Sequence, residues 1–321
     1  MKLPRRTFLH LAAGAAALPA VSCFAWAQAY PTRPVRLIEG FGAGGAPDII
    51  ARLIGQSLSE QLGQSFVIEN RSGASGNIAT DAVARASPDG YTLLLVTSTN
   101  AINTTLYDKL SFDFIRDIVP IASIARAPLV MEVHPSVPAR TVAEFIAYAK
   151  AIPGKVNMAS AGTLTQMAAE MFKMMAGLDL FHVPYRGAQV FPALLAGEAQ
   201  VYFGPLPSSI GYVRAGNLRA LAVTTTTRST VLPEIPALSE TLPGYEASGW
   251  QGIAAPKNTP AEIIKTLNTQ VNASLADANF QARLANLGAT VLPGSPADFA
   301  KLIADETMKW GKVILAANIK P

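Results

Sequence analysis

The chain has very little cysteine, histidine or charge. Of 321 residues one is cysteine, three are histidine and 15% are charged. The single cysteine, Cys23, lies in the first 29 residues, so a chain cut after Ala27 or Ala29 has none. That excludes a disulfide framework, cysteine-based metal sites and thiol catalysis, and it suits an oxidising compartment. Only His134 and His182 remain beyond residue 29, without a ligand-spaced partner, so no metal or cofactor is expected. Charge is scarce too. The net +4 includes Lys2, Arg5 and Arg6, with no acid before residue 30, so the remainder carries +1. Such a near-neutral chain has no electrostatic footprint for nucleic acid. No apolar run is long enough to span a bilayer, and no low-complexity tract points to disorder.

Residues 1–29 read as an export signal. Pro4-Arg5-Arg6-Thr7-Phe8-Leu9 is a twin-arginine-like start, followed by an alanine-rich apolar stretch from Leu9 to Val21. Ala25-Trp26-Ala27 and Ala27-Gln28-Ala29 are two frames for cleavage. Ala20-Val21-Ser22 before Cys23 lacks the leucine of a lipoprotein box, so lipid attachment is not expected. The mature protein is expected in the periplasm.

The rest of the chain alternates short apolar runs with amphipathic ones. Val35-Arg36-Leu37-Ile38, residues 65–69 and residues 91–96 read as strands. Ile49, Ile50, Leu53, Ile54, Leu58 and Leu62 recur at helical spacing, and residues 75–86 read as a second helix. A second group begins with strand Pro128–Val133. A helix capped by Thr141 and Glu144 follows, then strands at 156–159, 181–183, 200–203 and 218–223, with helices over 163–176 and near 187–196. Thr259-Pro260-Ala261-Glu262 and Ser295-Pro296-Ala297-Asp298 signal two late helix starts with proline at the first helical position. The pattern implies an α/β fold of two doubly wound lobes with a cleft between them. Residues 30–126 and 247–321 are assigned to lobe 1 and residues 127–246 to lobe 2, the C-terminal helices returning to lobe 1.

Two loops could bind an anion. Gly40-Phe41-Gly42-Ala43-Gly44-Gly45-Ala46-Pro47-Asp48 joins a strand to a helix, where free N–H groups and the helix dipole attract negative charge. Asp48 is read as holding the helix start. Ala159-Ser160-Ala161-Gly162-Thr163-Leu164-Thr165 repeats the arrangement in the second group. Ligands of open α/β sheets sit at strand C-termini, so one such loop per lobe can share a cleft. Ordinary tight turns and N-caps are the bland alternative. Gly40, Gly42 and Gly45 also fit G-x-G-x-x-G, with Glu69 where a ribose-binding acid would stand, so an exported nicotinamide-dependent oxidoreductase is the rival function. Pro47 weakens that reading by removing a donor. Ser98 and Asn100 after the third strand are candidate lining residues, and Trp250 is either core or cleft wall. Met167, Met171, Met174 and Met175 read as core packing. A Ser160–His182–Asp179 triad lacks a nucleophile elbow, and no catalytic residue is assigned.

Tyr30-Pro31, Gly44-Gly45 with Asp48 and Ala51-Arg52, Glu69-Asn70-Arg71, Pro88-Asp89-Gly90-Tyr91-Thr92-Leu93, Ala159-Ser160-Ala161-Gly162, His182-Val183-Pro184-Tyr185 and Leu218-Arg219-Ala220-Leu221-Ala222-Val223 stand in an order that resembles the tripartite tricarboxylate transporter receptors, or Bug family. The resemblance covers essentially the whole chain after residue 29. It implies a Venus-flytrap fold crossed twice by the chain and not an enzyme. It also implies delivery of a small carboxylate to inner-membrane permease subunits, with a monomeric receptor expected. Carried over, the ligand is held by backbone N–H groups and ordered waters at 41–45 and 160–163: Phe41, Gly42, Ala43, Gly44 and Gly45 in one loop, Ser160, Ala161, Gly162 and Thr163 in the other. Tyr185 and Gly204 are expected to line the same cleft. Two departures stand out. Ala43 replaces a common proline, and Gly204 stands where many members carry aspartate, which argues against an amino-acid ligand. Phe41, Tyr185 and Trp250 leave room for an aromatic or longer apolar acid.

Overall fold

Strand and helix alternate because apolar runs of four to six residues are each followed by a stretch with one apolar face. The computed structural model describes residues 30–320. The chain begins with β1 (Val35–Glu39), α1 (Ala46–Leu62), β2 (Phe66–Asn70), α2 (Asn77–Ala84), β3 (Thr92–Thr97), α3 (Ser98–Leu106) and α4 (Phe114–Asp117). Strand β4 (Ile118–Val133) then runs for 16 residues. Beyond it lie α5 (Val142–Ala151), β5 (Asn157–Ser160), α6 (Thr163–Ala176), β6 (Phe181–Pro184), α7 (Val190–Leu195), β7 (Val201–Pro205), α8 (Leu206–Arg214) and β8 (Arg219–Val223). Strand β9 (Ser248–Pro256) returns the chain to α9 (Ala261–Ala276), α10 (Ala278–Asn286), β10 (Thr290–Val291) and α11 (Pro296–Ala317).

The strands follow the order β2-β1-β3-β9-β4-β7-β5-β6, with β8 and β10 also on β4. Strands β1, β2 and β3 are parallel, as are β5, β6 and β7. Between them β9 is antiparallel to β3 and β4, and β4 is antiparallel to β7. Residues Ile118 to Pro128 of β4 pair with β9, whereas Leu129 to Val133 pair with β7. The two parallel sets therefore run in opposite senses, each pointing its C-terminal ends at the middle of β4. Thr97, ending β3, is level with Gln251 and Ala125; Pro205, ending β7, is level with Leu129. Four residues of strand separate those levels, roughly 13 Å. Register alone thus turns the loops after β1 and β5 toward one crossover.

The core follows the same division. One apolar cluster packs α1, α9 and α10 on β1, β3 and β9. Another packs α5 and α6 on β5, β7 and β8. Helix α11 belongs to both sides: Phe299 and Ile303 join Ile38, Leu94 and Val96, while Trp310, Val313 and Ile314 join Met158, Met167 and Phe172.

Several local readings need correction. Strand β4 begins ten residues before Pro128, and α3, α8, β9 and α10 are elements that the sequence pattern does not announce. Pro120 interrupts the apolar pattern, and the β4–β9 register shifts beside it, which is how a sheet admits proline. Thr259 does not cap α9: its hydroxyl donates to Pro256 O, and Pro260 is the N-cap rather than the first helical residue. Thr141 and Ser295 do cap α5 and α11. Met167 and Met171 are core, but Met174 and Met175 are exposed.

Candidate functional site

Strand β1 ends in Glu39, which is fully buried. Its Oε1 accepts the Phe41 N–H at 2.9 Å and its Oε2 accepts Asn70 Nδ2 at 2.7 Å. Burial pushes the Glu39 carboxyl above its usual range, against the hydrogen bonds from Asn70 and Phe41. Asp48, in the first turn of α1, accepts Gly44 N at 2.9 Å, Arg52 Nε at 2.9 Å and Asn70 Nδ2 at 2.9 Å. Burial raises Asp48 too, but the bonds from Arg52, Gly44 and Asn70 outweigh it and hold the carboxyl below its usual range. Asn70 therefore ties two buried acids together beneath the loop. Gly40 allows the tight approach, since a Cβ there would stand 2.7 Å from Gly76 Cα. Gly44 has φ +81, a conformation suited to glycine. Phe41 is half-buried, its ring beside Gly76.

This scaffold decides which amides remain available. The N–H groups of Phe41 and Gly44 are taken by Glu39 and Asp48, and Gly45 N–H points at Gly42 O at 3.4 Å. Those of Gly42, Ala43, Ala46 and Asp48 have no acceptor among the described residues, and the N-cap Gly45 supplies no side chain. Gly42, Ala43 and Gly44 are exposed.

The second loop is built alike. Ser160 is buried; its Oγ lies 2.7 Å from His182 Nε2 and its carbonyl accepts Tyr185 N at 2.7 Å. Thr165 Oγ1 accepts Ala161 N at 2.9 Å and donates to Gly162 O at 2.8 Å. Gly162, at φ +153, is the N-cap of α6 and has no side chain to offer. The amides of Gly162, Thr163 and Leu164 have no protein acceptor among the described residues. Burial lowers the His182 pKa, with Glu170 opposing. Asp179 faces Gly154 rather than His182, so no triad is assembled.

Other candidates lie deeper. Asn100 Oδ1 accepts Thr97 N and its Nδ2 donates to Thr80 Oγ1, both at 2.8 Å, so it caps α3; Ser98 beside it is buried. Tyr185 packs half-buried against the cluster around Ala159 and Phe191. Gly204 is enclosed: a Cβ there would meet Ser209 Oγ and stand 2.6 Å from Glu132 Oε1. Trp250 is core, edge-on to Phe299. Glu69, the acid of the dinucleotide reading, is held by Arg36 and Arg71. Glu39, Glu132 and Gln251 escape the sequence reading, since no periodicity marks a polar side chain turned inward on a buried strand. A groove of about 410 Å³ between α1, α9 and α10, lined by Gln56, Glu60 and Arg283, opens near the far end of α1. Among the described residues no cluster of His, Cys, Asp or Glu suits a metal, and no helix is long and apolar enough to cross a membrane.

The loops after β1 and β5 thus offer two sets of main-chain donors on helix N-termini. Comparisons with known proteins place the chain in a family. The family described as tripartite tricarboxylate transporter family receptor matches residues 50–319. Protein BugT of Bordetella pertussis is 35% identical over 92% of each chain. The structure of R. palustris Rpa4515 with adipate is 39% identical, with a TM-score of 0.87 over 91% of this chain and 99% of that one. MatC of Rhodopseudomonas palustris with bound malate is 29% identical, with a TM-score of 0.82 over 89% of this chain and 100% of the other.

Proposed function

Because the chain belongs to the tripartite tricarboxylate transporter receptor family, a family of solute-binding receptors and not of enzymes, we propose that it captures a small carboxylate in the periplasm. It then delivers the ligand to inner-membrane permease subunits of a tripartite tricarboxylate transporter. The receptor acts as a monomer without a cofactor after removal of its first 27 or 29 residues. Residues 30–126 and 247–321 form one lobe and residues 127–246 the other, with the end of α11 (Trp310, Val313, Ile314) packed on the second, and they close on the ligand about the crossing strand β4 and the connection into β9. The observation that carries this reading is the pair of uncapped helix starts, Gly45–Asp48 and Gly162–Leu164, on strands directed at the same crossover. Amides on a dipole end suit a carboxylate. Charge-assisted hydrogen bonds contribute about 1.5–3 kcal/mol each, so a few support micromolar affinity, about 8 kcal/mol. Adipate and malate in Rpa4515 and MatC favour aliphatic dicarboxylates as the first ligands to try; tricarboxylates and aromatic acids come next.

The test is calorimetric titration with such a panel. Gly44→Val and Gly162→Val should each weaken binding by at least about tenfold, because φ > 0 costs a β-branched residue on the order of 1–2 kcal/mol and displaces the amides. A Cβ meets nothing within 4 Å at either glycine, so the loss is one of backbone geometry rather than a clash. Arg140→Gln, at an exposed arginine, should change little. Equal losses from all three would contradict the main-chain model.

A further inference from the structure

From the packing around β9 we infer that Gln251 is the ligand-recognition residue at the floor of the cleft, its carboxamide taking a second polar group of the carboxylate; this rests on the receptor reading above. Gln251 lies at the crossover, paired with Thr97 at the end of β3 and with Ala125 of β4. Pairing fixes its direction. Leu93, Leu95 and Thr97 alternate onto one face of β3, and Leu93 and Leu95 lie under α1, so Gln251 projects from that face at the level of the α1 N-terminus. Two residues back, Gly249 lets α6 approach closely: a Cβ there would stand 3.3 Å from Leu164 Cδ2, in the first turn of α6, and 4.0 Å from Gln251 Nε2. The carboxamide therefore sits near the first turn of α6, on the sheet face that α1 covers.

Its chemistry is unfinished. Gln251 is 6% exposed, yet its Oε1 has no hydrogen-bond partner. A buried acceptor left this way carries a desolvation cost that a ligand hydroxyl donating to Oε1 can relieve, while Nε2, engaged by no hydrogen bond among the described residues, is left to donate to a carboxylate. Nε2 can donate to a carboxylate and Oε1 can accept from a hydroxyl, so the class read here is a carboxylate with a second carboxylate or hydroxyl a few carbons away. A charged arginine or lysine would bind any second anion; an uncharged amide selects by position.

The experiment titrates wild type, Gln251→Leu, Gln251→Asn and Gln251→Glu with adipate and with hexanoate, which differ only in the second carboxylate. Wild type should prefer adipate by roughly tenfold or more. Gln251→Leu should lose that preference while holding hexanoate at least as well, and Gln251→Glu, whose enclosed carboxyl keeps its proton at low pH, should hold adipate there and reject it by like charge as rising pH ionises it. Gln251→Asn keeps the amide but retracts it, so it should shift preference to a diacid one methylene longer, a readout that survives if the leucine variant misfolds. A Gln251→Leu variant that weakens both acids equally, or leaves the adipate preference intact, would overturn the assignment while leaving the receptor reading standing. Failure of wild type to bind either acid or any malate-like hydroxy acid would overturn the assignment, and failure across the whole panel, tricarboxylates and aromatic acids included, would overturn both.

Discussion

A carboxyl enclosed on every side keeps its proton unless something stabilises the charge, and Glu132 has little that does. It is fully buried under α8; Ser209 Oγ donates to Oε1 at 2.9 Å, and Oε2 has no partner. Burial pushes the group up to about 8, with Ser209 opposing. An unfolded glutamate loses its proton near 4.5, so between that pH and about 8 the folded chain holds one proton that the unfolded chain lacks. Stability therefore falls as pH rises through this window, by about 1.4 kcal/mol per pH unit at most. Glu132→Gln has no proton to lose. Thermal melts at pH 5 and pH 8.5 should show the variant gaining on wild type as pH rises. A difference that stays flat would mean that Glu132 is ionised in the folded protein.

At the scale of elements, β9 shows how much a short side chain decides. All nine of its residues are buried, and a Cβ on Gly252 would strike the Phe299 ring and stand 2.6 Å from Ala122 O. Gly252→Ala must push α11 or β4 away, a loss of about 2 kcal/mol or more in denaturant unfolding. A loss under about 0.5 kcal/mol, no more than an ordinary surface change, would show that α11 yields freely there. The same strand explains what the sequence concealed. Leu93, Leu94, Leu95 and Val96 announce β3 because a central parallel strand is apolar on both faces. Ser248-Gly249-Trp250-Gln251-Gly252 is equally buried, but around Trp250 it is built from small and polar residues, because Leu164 and Phe299 press directly on Gly249 and Gly252. The glycine-led loops were legible from chain order. Which of their amides Glu39 and Asp48 would occupy was not, because Asn70 reaches them from another strand.

The whole molecule depends on the fact that neither side finishes its core alone. Strand β4 crosses the boundary, and α11 packs Phe299 and Ile303 into one side and Trp310, Val313 and Ile314 into the other. Trp310 is fully buried and its Nε1 donates to Glu306 Oε2 at 2.8 Å. Glu306 in turn holds Lys309, which reaches Glu246 just before β9. With the final helix shared in this way, the chain should unfold in one calorimetric transition whose van't Hoff and calorimetric enthalpies agree. A bound carboxylate at a hundredfold over its dissociation constant should move that single transition upward by about 2.7 kcal/mol. Trp310→Ala removes the helix from the second side and leaves a cavity, a loss of about 3–5 kcal/mol. Its scan should split, the side formed by β5, β6 and β7 melting first and the ligand no longer shifting both steps together. Two transitions in the wild-type protein would show that the shared helix does not couple the halves, and that closure on the ligand must be held by the cleft alone.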